Sequence, residues 1–168
     1  MVDGNCSEYS NMLVEYPDGV TAYKFEDAGS VWLCFKLPEG SYPSGELILS
    51  TPELEQPLVI HFSAQLGEWQ LGDKDAEPKV ATSDKWWNNK DWIGTVSRFN
   101  GMEEFEGEPS PRFLKADAQE LQFSKSRFGA GEWRLSGALW AVNSKESGLK
   151  RLNISPEGQE YLTFMVTK

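Results

Sequence analysis

Apolar residues in this chain recur at every second position in short bursts. No long stretch shows the i, i+3, i+4, i+7 spacing of an amphipathic helix. Gly, Pro, Asn and Asp interrupt the bursts, with 15 Gly and 9 Pro among 168 residues. This rhythm predicts strands at 12–16, 20–25, 30–36, 46–50, 57–63, 68–71, 92–99, 120–124, 132–142, 149–154 and 160–167. The last run is the clearest: Leu162, Phe164 and Val166 face in, while Tyr161, Thr163 and Met165 face out. In 57–63, Leu58, Ile60 and Phe62 share one face and Val59, His61 and Ser63 share the other. Residues 101–118 are irregular and acidic and read as a solvated loop. Single helical turns are predicted at 117–121 and 155–160. Roughly ten short antiparallel strands with almost no helix point to an all-β fold, a β-sandwich or jelly roll, in one domain spanning 1–168. A closed barrel is the alternative.

Formal net charge is −10. An acidic chain repels phosphate, so neither nucleic acid nor an anionic membrane is an expected partner. Neutral ligands or basic proteins suit it better. No segment reaches the length of an apolar membrane span, and the opening Met1-Val2-Asp3-Gly4-Asn5-Cys6 has no apolar signal-peptide core. The two cysteines, Cys6 and Cys34, lack metal-site spacing. Cys34, in the apolar run 31–35, reads either as a buried thiol or as half of a Cys6–Cys34 disulfide, which would contribute roughly 3–4 kcal/mol by restricting the unfolded chain.

Three of the chain's 7 tryptophans, Trp86, Trp87 and Trp92, lie within ten residues that also hold Asp84, Lys85, Asn88, Asn89, Lys90 and Asp91. A core strand does not carry so many polar neighbours. The segment reads as a loop presenting indole faces to water, with one of the adjacent pair Trp86 and Trp87 tucked beneath it as an anchor. Pyranose rings pack their axial C–H faces on indoles and turn their hydroxyls toward amides and carboxylates at the rim. Asn88, Asn89 and Asp91 supply such groups. Further outward-facing candidates on strands are Trp32, Tyr23, Gln70, Trp140 and Gln122. Trp69 and Trp133 are expected in the core, since each shares a strand face with a leucine. Their segments echo one another: Gly67-Glu68-Trp69-Gln70-Leu71 against Gly131-Glu132-Trp133-Arg134-Leu135.

Motifs for catalysis are scarce. G-x-S-x-G, P-loop, H-E-x-x-H and CxxC patterns are absent from the sequence. His61 is the only histidine. Ser-His-Asp or Cys-His chemistry would need it beside a nucleophile such as Ser63 or Cys34; otherwise it is a structural strand residue. A carboxylate-pair glycosidase would draw on Glu68 and Glu132. No cofactor is expected, apart from a structural calcium ion that Asp84 and Asp91 would help to ligate.

An acidic, helix-poor β-domain with exposed tryptophans and no catalytic motif resembles the non-catalytic carbohydrate-binding modules of bacterial plant-cell-wall hydrolases. The resemblance is one of kind across the chain. It implies a neutral polysaccharide ligand of β-glucan or xyloglucan type, with Trp86, Trp87 and Trp92 as stacking platforms. It also implies an extracellular or cell-surface setting, as a monomer or a module of a larger enzyme. The competing expectation is an acidic interaction domain with a basic protein partner, since Trp is enriched at interface hot spots.

Overall fold

A computed structural model describes residues 2–168. Its elements run β1 (Asn11–Glu15), a 3-10 turn at Pro17–Gly19, β2 (Thr21–Glu26), β3 (Ser30–Lys36), β4 (Gly45–Ser50), β5 (Leu58–Phe62), β6 (Leu66–Gln70), β7 (Trp92–Gly94), β8 (Phe99–Phe105), β9 (Glu108–Phe113), β10 (Ala118–Ser124), α1 (Lys125–Phe128), β11 (Gly131–Ser144), β12 (Gly148–Asn153) and β13 (Leu162–Val166). The fold is all-β, and its two main antiparallel sheets form a sandwich. One sheet has the order β1-β2-β3-β10-β7. The other has the order β12-β11-β4-β5-β6, and β13 also pairs with β11. The strands β8 and β9 form a separate hairpin.

Alternation decides what fills the space between the sheets. Leu33, Phe35, Leu121 and Phe123 come from the first sheet; Leu47, Leu49, Ile60, Phe62, Trp133 and Leu135 come from the second. Trp133 is fully buried and packs against Phe123, Phe128 and Phe164, with ring centroids 5.8, 6.1 and 5.9 Å away. The inward residues of β13 are Leu162, Phe164 and Val166, as the alternation predicts.

Four expectations are corrected. Residues 117–121 form no helical turn; Ala118 opens β10, whose backbone is paired on one edge by β3 and on the other by β7. Two-sided pairing outweighs local preference there. Residues 155–160 form a turn, closed by Gln159 N–H donating to the Pro156 carbonyl, with no helix. Within the acidic stretch, β8 and β9 form a hairpin through a two-residue Glu106-Gly107 turn, both residues having positive φ, which suits the strand twist. Its glutamates are solvated, as read from the sequence. The run 92–99 is not one strand: β7 ends at Gly94 and β8 starts at Phe99.

The outer face of the first sheet has its own small core. Cys6 and Cys34 are joined by a disulfide, so Cys34 is not a free thiol. The bridge holds the N-terminal segment, with its Tyr9, against Ala118 and part of Tyr23 and Trp32. Beneath it, the fully buried Glu120 accepts hydrogen bonds from Asp3 N–H (2.7 Å), Gly4 N–H (3.0 Å) and the Tyr9 hydroxyl (2.5 Å). Burial, and then this bond to the Glu120 carboxylate, push the Tyr9 phenol far above its usual range.

Candidate aromatic site on the outer sheet face

Strand register assembles the site. Across β4, β5 and β6, Glu46 lies opposite His61 and His61 lies opposite Gly67, with all three on the face turned away from the core. Gly67 leaves a gap, and the Trp86 ring lies over it. A Cβ at Gly67 would sit 3.0 Å from Trp86 Cε3. Trp86 is anchored further by its indole N–H, which donates to the Val80 carbonyl at 3.0 Å. Around His61 the ring centroids of Trp86, Trp140 and Trp69 stand at 4.6, 5.2 and 6.0 Å. Trp69 and Trp86 meet edge to face at 6.4 Å. Trp69 is buried at the base, Trp86 is half-buried, and Trp140 is 37% exposed.

His61 is itself buried and satisfied on both ring nitrogens. Glu46 Oε1 lies 3.0 Å from Nδ1, and Ser63 Oγ lies 2.9 Å from Nε2. Ser63 sits just past the end of β5, beside an open cleft of about 450 Å3 that Tyr42, Ser44, Ser97 and Phe113 also line.

The tryptophan loop does not behave as one shelf. Trp86 anchors it, while the neighbouring Trp87 has a positive φ of 61° and is 56% exposed. Trp92 opens β7 and is 3% exposed, so its expected presentation to solvent is corrected. It stacks against Phe123 in the core, and its indole N–H donates to Glu68 Oε2 at 2.6 Å. The amides expected to meet a ligand are spent on the backbone. The Asn88 side chain accepts from Glu68 N–H (2.8 Å) and donates to the Glu68 carbonyl (2.9 Å), standing in for a further strand beside β6. Asn89 donates to the Trp92 carbonyl (2.8 Å). Asp91 is exposed, and its carbonyl accepts from Ser124 N–H.

The remaining sequence candidates divide between surfaces. Trp140 joins the His61 cluster. Gln70 is exposed at the end of β6, out of step with Trp69. Trp32, Tyr23 and Gln122 occupy the outer face of the opposite sheet. There Trp32 packs against Phe25 at 5.3 Å, and Gln122 donates to Ser30 Oγ. The structure therefore brings Trp86 and Trp140 together and keeps Trp32, Tyr23 and Gln122 apart from them.

The echo between the 67–71 and 131–135 segments also breaks. Trp133 points into the core, whereas Trp69 points outward to His61. Trp69 is thus buried, but in the outer cluster rather than between the sheets, and Leu71 is exposed. It follows that Glu68 and Glu132 lie on opposite faces of one sheet. Glu68 forms a two-pronged ion pair with Arg127, at 2.9 Å for each contact, and Glu132 pairs with Arg134 at 2.7 Å on the surface. They make no carboxylate pair. Among the described residues, no group of three or more His, Cys, Asp or Glu side chains is placed to hold a metal ion, and Asp84 and Asp91 join none.

Sequence reasoning weighed His61 with Ser63 only as a condition for catalysis, left both out of the ligand site, and did not consider Glu46. The usable signal was the shared face of Val59, His61 and Ser63; what it lacked was the neighbouring strand that brings Glu46 alongside. Comparisons with protein-family models, curated proteins and solved structures find no match to this chain.

Proposed function

We propose that this domain binds a neutral polysaccharide of β-glucan or xyloglucan type on the outer face of the sheet β12-β11-β4-β5-β6. The observation that carries the reading is the cluster of Trp69, Trp86 and Trp140 around His61 on a surface rather than in the core. Trp140 is exposed on an outer sheet face beside the partly and fully covered rings of Trp86 and Trp69, and exposed aromatic surface of this kind marks a place for a ligand or partner. Trp140 and Trp87 keep the most accessible ring surface, and Trp69 fixes the tilt of Trp86 from below. A net charge of −10 favours an uncharged glycan over an anionic one. The Cys6–Cys34 disulfide suits the oxidising, extracellular setting in which plant polysaccharides are met.

Each stacked ring is worth on the order of 1 kcal/mol beyond area burial. Two or three rings with a few hydrogen bonds correspond to affinities from about 0.1 mM to micromolar. In affinity electrophoresis against a polysaccharide panel, retardation by one neutral glucan is expected. It should be lost in Trp140→Ala and weakened in Trp87→Ala, and retained in Trp32→Ala on the opposite sheet. Equal mobility of wild type and Trp140→Ala in every gel would remove the reading.

One observation favours a second reading, an acidic protein-interaction domain. The β8–β9 hairpin carries Glu103, Glu104, Glu106 and Glu108 together with the exposed Phe99, Met102 and Phe105. A basic partner docking there would be released by salt, whereas glycan stacking hardly responds to ionic strength.

A further inference from the structure

We propose that Ser63 is a nucleophile, activated by His61, and that the domain hydrolyses a short-chain carboxylic ester held in the cleft beside it. This goes beyond glycan binding. Only the choice of an acetylated glycan as the physiological ester rests on that reading.

The geometry is that of a carboxylate–imidazole–hydroxyl relay. Glu46 Oε1 is 3.0 Å from His61 Nδ1, and Ser63 Oγ is 2.9 Å from Nε2. A carboxylate can only accept, so Nδ1 carries the hydrogen. In the neutral ring Nε2 is then the bare nitrogen, 2.9 Å from Ser63 Oγ; that hydroxyl also lies 3.3 Å from the Gln65 carbonyl and accepts from Gln65 N–H, and it donates to Nε2 when its hydrogen is turned to the ring. Each atom occupies the place that nucleophile, base and orienting acid require, whatever the fold. The base lies on β5 and the nucleophile follows two residues on, just past the strand's end, while the third residue is fixed by the pairing of β4 with β5. Side-chain burial holds the imidazole in place. Trp86 and Trp140, with ring centroids 4.6 and 5.2 Å away, pack around the imidazole and restrict its rotation.

Ser63 also has somewhere for a substrate to sit. The cleft of about 450 Å3 that it lines is the size of a small-molecule site. Phe113 offers an apolar wall for an acyl group. Tyr42 and Ser44 also line the cleft, and both are residues whose hydroxyl could donate to the oxyanion of a tetrahedral intermediate.

The chemistry balances without an added oxidant or metal. Ser63 Oγ attacks the ester carbonyl carbon while its proton passes to His61 Nε2. The ester C–O bond breaks, and that proton goes to the departing alkoxide, which leaves as an alcohol. Water then attacks the acyl-Ser63 ester, His61 takes its proton, and the carboxylic acid is released with Ser63 restored. Glu46 is a positioning residue: it holds the tautomer and stabilises the imidazolium, and it touches no substrate.

The test starts with the wild-type protein. A fluorophosphonate probe should attach to Ser63, located by peptide mass mapping, and p-nitrophenyl acetate should be turned over. Ser63→Ala should lose both the adduct and the turnover above buffer. Glu46→Gln should lower kcat by about 10²–10⁴-fold with KM little changed, a split that a purely structural role would not produce. Near-UV circular dichroism of the tryptophans reports whether each variant is folded, and the wild-type adduct needs no variant. Absence of an adduct on Ser63, or wild-type turnover by Ser63→Ala, overturns the proposal. Acetate release from an O-acetylated xylan, lost in Ser63→Ala, identifies the ester as glycan-borne; turnover of the aryl acetate alone identifies a free small ester. Polysaccharide gels run in parallel separate the two readings, since Ser63→Ala should keep its retardation and Trp140→Ala should not.

Discussion

Gly67 shows how one missing methyl group shapes the outer surface of this domain. Opposite His61, it leaves the Trp86 ring room to lie flat on the sheet, and any Cβ there would press on Cε3 at 3.0 Å. Trp86 has little freedom to move aside, because its indole N–H is tied to the Val80 carbonyl and its ring is flanked by His61 and Trp69. Gly67→Ala is therefore expected to cost about 1–3 kcal/mol through overpacking and to alter the near-UV dichroism of the indoles. An urea midpoint and spectrum identical to wild type would show that the ring is not held as described. Trp92 is the counterpart on the inside. Its ring is wanted by the core and its N–H by a carboxylate, so it lies near Glu68 with Phe123 beneath it. Sequence neighbours such as Lys90 and Asp91 suggest solvent, yet a single residue at the start of a strand turns inward whatever its neighbours do.

At the level of elements, β13 is fastened at its end by a carboxylate. Glu26, in β2, accepts from the Thr167 backbone N–H and hydroxyl and lies 3.6 and 3.5 Å from the Lys24 and Lys125 ammonium groups. Burial opposes its ionisation, but the Thr167 hydrogen bonds and the two lysines outweigh that and hold its pKa below the ordinary glutamate value. A depressed folded-state pKa means the stabilisation is complete above the unfolded value, about 4.3, and is lost as pH falls through the folded one. The gap in urea midpoint between wild type and Glu26→Gln should thus be open at pH 7 and shrink below about pH 4. An equal gap at pH 7 and pH 3 would contradict this.

The same elements show what alternation reveals. Period two in β13 and β5 sorted residues correctly into two sets. It could not say which set faces the other sheet when both sets are apolar enough, which is why Trp69 and Trp133 look alike in sequence and point to opposite sides. The Glu106-Gly107 turn was legible in principle, being a short loop with glycine in second place, but four glutamates masked the strands around it.

For the whole molecule, the N-terminal segment is a flap over the outer face of one sheet, closed by the Cys6–Cys34 bridge across 28 residues of chain and by the buried Glu120. Reduction should leave the sandwich folded but weaker by about 3 kcal/mol, lowering Tm by roughly 10 °C for a domain of this size. Calorimetry with and without a phosphine reductant measures this, and a change under about 2 °C would mean that the bridge restrains nothing. The sequence by itself determined that this chain is all-β, built of short antiparallel strands, because hydrophobic alternation and turn residues are local properties that each short segment carries alone; the choice of a sandwich over a closed barrel came from pairing. It also determined a bulk negative charge and the presence of many indoles. Only the tertiary structure decided where those indoles go. The face a strand presents, and the company a side chain keeps, depend on pairing between segments distant in sequence: β4 beside β5, β6 beside the 71–91 loop, β10 between β3 and β7. That pairing gathered Glu46, His61, Ser63, Trp86 and Trp140 at one place, and it drew Trp92 into the interior.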